Sequence, residues 1–256
     1  MRTRPRFWIP AAVAAVLVVL GFGASLAAAL AMERTERDTH ALRGDVSRVI
    51  VGNDAGDVRV RTTTDSHVTI RETRHVAMRE PDLDAELRDG VLRIDVSCSG
   101  FMTFRCWDDL EVLVPETVRS AAIVVDSGDV EVGGLDADEI AIDTDSGDVT
   151  ARDTRGTLDL QADSGDVIAS GVDASTTRAE TDSGDIELAF AGAPADVTAE
   201  ADSGDVQVDV PAGRYRVDVS ADSGDTDIAG GIVRDAAAPS RIVASADSGD
   251  VEVRSR

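Results

Sequence analysis

Lysine is absent from this chain of 256 residues, and its 25 basic residues, all Arg, face 49 Asp and Glu, for a net charge of -24. A surface this acidic repels phosphate backbones, which excludes a general nucleic-acid binder. Aromatic residues make up 3% of the chain, too few to line a cleft that stacks on sugars or bases. Three His and two Cys leave no material for a zinc or iron–sulfur site built from several such ligands. Apolar residues nonetheless reach 43%, more than a disordered acidic tail carries. The length suits one ordinary domain or two small ones.

Long hydrophobic runs are likewise missing, with one exception. Arg2, Arg4 and Arg6 precede an uncharged stretch from Phe7 to Met32. About 20 such residues in a helix cross the hydrocarbon core of a bilayer. The arginines stay cytoplasmic by the positive-inside rule. This predicts a tail over residues 1–8, a single transmembrane signal anchor over 9–32 and a polar linker over 33–43, with the rest of the chain outside the cytoplasm. A cleavable signal peptide is the alternative, because Ala27-Ala28-Ala29 and Ala29-Leu30-Ala31 are small-residue cleavage patterns; the protein would then be secreted. The run exceeds the usual signal core of about 7–15 residues, which favours the anchor. In an oxidising compartment Cys98 and Cys106, the only cysteines, are expected to form a disulfide worth about 2–3 kcal/mol. Two reduced buried thiols are the alternative.

The dominant feature is a repeat. Asp-Ser-Gly-Asp occurs seven times, starting at Asp126, Asp145, Asp163, Asp182, Asp202, Asp222 and Asp247, with a degenerate copy at Asp54-Ala55-Gly56-Asp57. The first six copies are 18–20 residues apart, and the last follows after 25. Period-two alternation flanks each copy, as in Ile140, Ile142 and Thr144 before one and Val149 after it, and marks short half-buried strands. The apolar phase slips at the glycine, so the chain bends there. The expected fold is all-β: a β-solenoid of two-strand coils of about 19 residues, occupying 119–256 and stacked at about 4.8 Å per coil. A hairpin meander or barrel, with the repeat as a two-residue turn, is the second all-β reading. Residues 44–118 carry strands without the clean repeat, such as VSRVIV, HVTIRE and LEVLVP, and read as an irregular β region covering the first edge of the solenoid. The long last step places an insertion in GGIVRDAAAPS.

GDVRV, DGVLRIDV, LEVLVPETV and the SGDV ladder together resemble the bacterial "putative adhesin" family DUF4097 over about residues 44–256. The resemblance implies a β-solenoid, an envelope location and no known catalytic site.

Stacking sets Asp145, Asp163, Asp182, Asp202 and Asp222 in one column and Asp148, Asp166, Asp185, Asp205 and Asp225 in a second. Two carboxylates about 4.8 Å apart in water repel by about 0.9 kcal/mol before screening, so something must offset the column. One explanation is turn chemistry, with the aspartate before each Ser-Gly accepting a backbone N–H two positions on. The other is calcium held between the two columns, although the repeat lacks the spacing of calcium-binding nonapeptides. The repeated serines read as a corner ladder, since no repeated serine has a unique base. His40, His67 and His75 read as surface residues. Phe101, Phe104 and Trp107 read as a plug beside the disulfide, or else as a projecting contact loop.

A polysaccharide hydrolase would need a singular carboxylate pair, and here the carboxylates recur in every coil. The expected function is therefore non-enzymatic: an adhesin-like or scaffolding envelope protein presenting its acidic face to a partner protein, a wall polymer or cations. An envelope-stress signalling accessory acting through a membrane partner is the alternative. The C-terminal edge near Val251 to Val253 is expected to be free, open to oligomerisation.

Overall fold

The computed structural model describes residues 34–76, 81–98 and 106–256, and among them all regular secondary structure is β. The chain begins with β1 (Arg34–Leu42), β2 (Arg48–Asn53), β3 (Val58–Thr63), β4 (Val68–Val76), β5 (Asp82–Arg88), β6 (Val91–Ser97) and β7 (Cys106–Pro115). The repeat region supplies β8 (Ser120–Ser127), β9 (Val130–Gly133), β10 (Asp136–Ser146), β11 (Val149–Arg152), β12 (Arg155–Ser164) and β13 (Val167–Ser183). It continues with β14 (Ile186–Phe190), β15 (Asp196–Ser203), β16 (Val206–Val210), β17 (Gly213–Ser223), β18 (Thr226–Ala229), β19 (Ile232–Arg234), β20 (Arg241–Ser248) and β21 (Val251–Ser255).

Each coil is one strand before a corner and one after it. The strands before the corner form one wall, and those after it form the other. Every coil-to-coil pairing in the repeat region is parallel and in register, so that Ile140 lies over Leu158 and Val149 over Val167. The strands flanking one Asp-Ser-Gly-Asp pair with neighbouring coils rather than with each other, which removes the hairpin reading. β13 bends through both walls, its start pairing with β11 and its end with β12.

Inward columns are apolar and dry. Val49, Ile140, Leu158, Val197 and Ile242 line one wall, and Val58, Val130, Val149, Val167, Ile186, Val206 and Val251 line the other, each at 1% exposure or less. Full burial of each such side chain stabilises by roughly 1.5–3 kcal/mol. Beside the corner the residues shrink to Thr144, Ala162, Thr181, Ala201 and Ala246, because the two walls converge there.

The stacking order is not the chain order. The wall before the corner runs β5–β6–β2–β8–β10–β12–β13–β15–β20–β17, and the other runs β1–β4–β7–β3–β9–β11–β13–β14–β16–β21–β18. The first coil, β2/β3, is therefore interior, between β6/β7 and β8/β9. The last coil, β20/β21, is inserted between β15/β16 and β17/β18. This corrects the expectation of a free edge at Val251 to Val253: both are buried between β16 and β18. β18, at the end of the stack, places the exposed Thr226 where the other repeat coils place a buried Val or Ile.

Two further expectations change. Residues 34–42, read as linker, form β1, paired antiparallel with β4 along its whole length. Within 44–118, β2/β3 and β6/β7 are coils of the same stack, and only β1, β4 and β5 depart from it, as antiparallel strands that close this end. The insertion lies between β18 and β20, where β19 pairs with the start of β17. The anchor over 9–32 lies outside the described residues; among the described ones, no helix is long and apolar enough to cross a membrane.

Candidate functional site

The corner is built by glycine. At Gly128, Gly147, Gly165, Gly184, Gly204, Gly224 and Gly249, φ lies between +139° and +152°. A Cβ at any of them would lie closer than 3.0 Å to the carbonyl oxygen of a neighbouring coil's glycine. Only glycine lets the corners stack. Except at Gly224, on the terminal coil, each corner glycine N–H then donates to the serine carbonyl of the next coil, from Gly56 to Ser127 at one end through Gly249 to Ser223 at the other, at 2.8 to 3.0 Å.

The aspartate after the glycine supplies the acceptor that the bent backbone lacks. The N–H of Asp148 donates to Oδ1 of Asp129 at 3.0 Å, that of Asp166 to Asp148 at 2.9 Å, and that of Asp185 to Asp166 at 2.8 Å. The ladder is continuous across nine aspartates in the spatial order 109, 57, 129, 148, 166, 185, 205, 250, 225, with distances of 2.8 to 3.2 Å. The turn chemistry expected of the first aspartate is thus performed by the second, and between coils rather than within one. A hydrogen bond to a charged acceptor contributes about 1.5–3 kcal/mol, enough to outweigh the repulsion of roughly 0.9 kcal/mol between neighbours.

The aspartates before the serine (Asp126, Asp145, Asp163, Asp182, Asp202, Asp247 and Asp222) are exposed and accept no hydrogen bond among the described residues. They form the free crest of the ridge. Its field reaches sideways: the Asp143 carboxyl is held above its ordinary range, by partial burial first and then by Asp145, Asp163 and Asp159. The eight residues named as calcium ligands therefore separate into crest (Asp145, Asp163, Asp182, Asp202) and ladder (Asp148, Asp166, Asp185, Asp205). Among the described residues, no group of three or more His, Cys, Asp or Glu is placed to hold a metal ion.

Cys98 and Cys106 form the expected disulfide. Beside it lies a polar cluster that sequence reading missed. Asp108 points inward on β7, fully buried, and Glu72 points inward on β4 at 3% exposure. Burial, then hydrogen bonding and charge from Glu72, push the Asp108 carboxyl up to about 8, against the pull of Arg74. His40 Nε2 lies 3.3 Å from Glu72 Oε2, and Arg74 bridges Glu72 to Asp38 on β1. His40 thus sits on a strand rather than in a linker. The signal was present: Asp108 continues the inward phase of Leu110, Val112 and Val114, and Glu72 that of Val68 and Ile70. Trp107 lies on the outer face, stacked on His75 with ring centroids 4.9 Å apart, and His75 Nε2 is 3.3 Å from Asp109 Oδ2 at the end of the ladder. Phe101 and Phe104 lie outside the described residues.

The profile of the Toastrack DUF4097 family matches residues 35–255. Three solved structures are similar in chain course. One is of a putative cell adhesion protein from Clostridium sporogenes ATCC 15579, 8% identical, covering 87% of this chain and 100% of its own, with a TM-score of 0.45. The second is of a putative adhesin from Parabacteroides distasonis ATCC 8503, 11% identical, covering 86% and 97%, with a TM-score of 0.48. The third is of a putative lipid binding protein from the same organism, 14% identical, covering 85% and 96%, with a TM-score of 0.43. No curated protein matches the sequence.

Proposed function

Because the chain belongs to the Toastrack DUF4097 family, we propose that it is a non-enzymatic cell-envelope protein, anchored by residues 9–32 and working outside the cytoplasm as an adhesin-like scaffold. The observation that carries this reading is the two-column ridge. One column is consumed in holding the corner, and the other presents a row of carboxylates to solvent with no hydrogen-bond partner among the described residues. Such a crest suits a cationic partner surface, a wall polymer bearing amines, or divalent cations attracted by charge density. Calcium there would screen the crest as a loosely held counter-ion, since one oxygen of each ladder carboxylate is already committed to a backbone N–H.

The singular carboxyl pair, Asp108 and Glu72, does not favour a hydrolase. Both lie inside the wall, and Asp108 is held protonated by burial, so neither reaches a polymer from solvent. The signalling alternative draws support from β1, which begins directly after the apolar run. His40 and Asp38 tie it to β4, so motion of an anchor would be felt by the sheet without slack.

The test is binding of the full chain, in detergent or nanodiscs, to envelope polymer and protein fractions, compared with a variant in which Asp145, Asp163, Asp182 and Asp202 are all Asn. Loss of capture with unchanged melting supports the ridge; equal capture removes it. A calcium-dependent rise in Tm beyond that produced by sodium chloride of equal ionic strength is expected, and its absence removes the cation part.

A further inference from the structure

The two ends of the stack are finished differently. At one end β4 and β5 run antiparallel to the coil β6/β7 and cover it, and β1 covers β4. At the other, β17 pairs with β19 over Gly213–Tyr215 and with β20 over Arg216–Ser223, and β18 pairs with β21 alone, so each stretch has a single paired side.

The interior junctions define what this open side lacks. In each, the lower coil donates its glycine N–H to the upper serine carbonyl and the N–H of the residue after its aspartate to the upper aspartate carbonyl, as Gly147 does to Ser164 and Val149 to Asp166. The upper aspartate N–H returns to the lower carboxylate. On the terminal coil the corresponding groups are Gly224 N–H, Thr226 N–H and the Asp225 carboxylate, none of which has a partner among the described residues. Behind them Val217, Val219, Ala221 and Ile228 are only partly buried, whereas their neighbours Ile242, Ala244, Ala246 and Val253 are at 3% exposure or less.

We propose that this end is a docking edge for one further coil donated by another polypeptide: a segment entering parallel to β17 and β18, with small apolar residues at alternate positions and a Ser-Gly-Asp bend. The bend would supply the serine carbonyl, the aspartate N–H and the aspartate carbonyl that the edge calls for, and the alternating residues would cover Val217, Val219 and Ala221. An intact second copy does not fit head to tail in this mode, because its opposite end presents β1 and β5, antiparallel edges without a Ser-Gly-Asp bend. The inference is independent of the acidic crest, which lies on the side of the stack rather than at its end.

The probe is a synthetic peptide of residues 240–255, SRIVASADSGDVEVRS, added to the full chain near 0.15 M salt, which damps repulsion between the columns. Saturable binding is expected by fluorescence anisotropy, with slowed hydrogen exchange at Gly224 and Thr226. A peptide carrying Gly249→Ala is expected to bind at least about tenfold more weakly, since its Cβ would meet the carbonyl beneath. Thr226→Val in the protein restores the residue type of the interior coils and is expected to tighten binding about threefold or more. Ala221→Glu should abolish binding; if that variant fails to fold, Thr226→Val still decides. No binding at millimolar peptide, binding indifferent to Gly249→Ala, or self-association that protects Gly224 and Thr226 without peptide would each overturn the proposal, the last in favour of a second copy.

Discussion

Asp166 sits mid-ladder, and replacing it separates two opposed effects of one carboxylate. Its Oδ1 accepts the Asp185 N–H at 2.8 Å, while its own N–H donates to Asp148 at 2.9 Å. Asp166→Ala leaves the Asp185 amide without an acceptor at a corner where backbone is stacked above and below. Loss of a hydrogen bond to a charged acceptor costs about 1.5–3 kcal/mol. The same change relieves repulsion from two neighbours at roughly 0.9 kcal/mol each before screening, of which about half survives in 0.15 M salt. The balance is a net destabilisation of about 1 kcal/mol, or a fall in Tm of about 2–4 °C for a chain of this size. Asp166→Asn keeps an acceptor oxygen and sheds the charge, so it should leave stability unchanged or raise it slightly. Urea unfolding of the three proteins with the disulfide intact, at low and moderate salt, reads the difference directly. If Ala and Asn are equally stable, or if both exceed the parent by the same margin, the carboxylate is not the acceptor that holds the corner, and the account given of the repeat is wrong.

Gly165→Ala should be far more damaging, costing about 3 kcal/mol or more or preventing folding, because the added methyl would lie within the Gly147 carbonyl of the adjoining coil. Gly133→Ala is the control: its nearest neighbour would be Arg61 Cγ at 3.9 Å, and its Tm should stay within a few degrees of the parent. Asp108 makes stability fall with rising pH. The folded chain retains a proton, up to about pH 8, that the unfolded chain releases near the ordinary aspartate value of 3.8. The group's contribution is therefore complete below about pH 4 and is lost through pH 8 at up to roughly 1.4 kcal/mol per unit. Asp108→Asn should flatten that dependence between pH 5 and 9 and be the more stable protein at pH 8; parallel curves for variant and parent would show that Asp108 carries no such proton.

Much of the fold was legible in the chain. The period of 18–20, the alternation on both sides of each Asp-Ser-Gly-Asp and the phase slip at glycine together dictate short strands, a bend and stacking, because each of these is a local consequence of side-chain period and backbone freedom. The disulfide was expected from two cysteines eight positions apart in a chain read as exported. The roles of the two aspartates were not legible, since either one can reach a backbone amide on paper. Only the stacked corner shows that the amide needing an acceptor belongs to the next coil. Glu72 and Asp108 were written in the inward phase of their strands, but what they form depends on which strands adjoin, and β4 reaches β7 by an antiparallel return that no repeat announces.

By itself the sequence determined what a coil is: its length, its corner, its inward face and the acidic crest it must carry, all properties that residues within about 20 positions settle among themselves. Tertiary structure alone decided which coil lies on which. Every coil presents nearly the same edge, so local pattern leaves the order degenerate, and the coil left at the end is the one with Thr226 in place of valine. That choice puts the last coil inside the stack and leaves β17 and β18 at its open end.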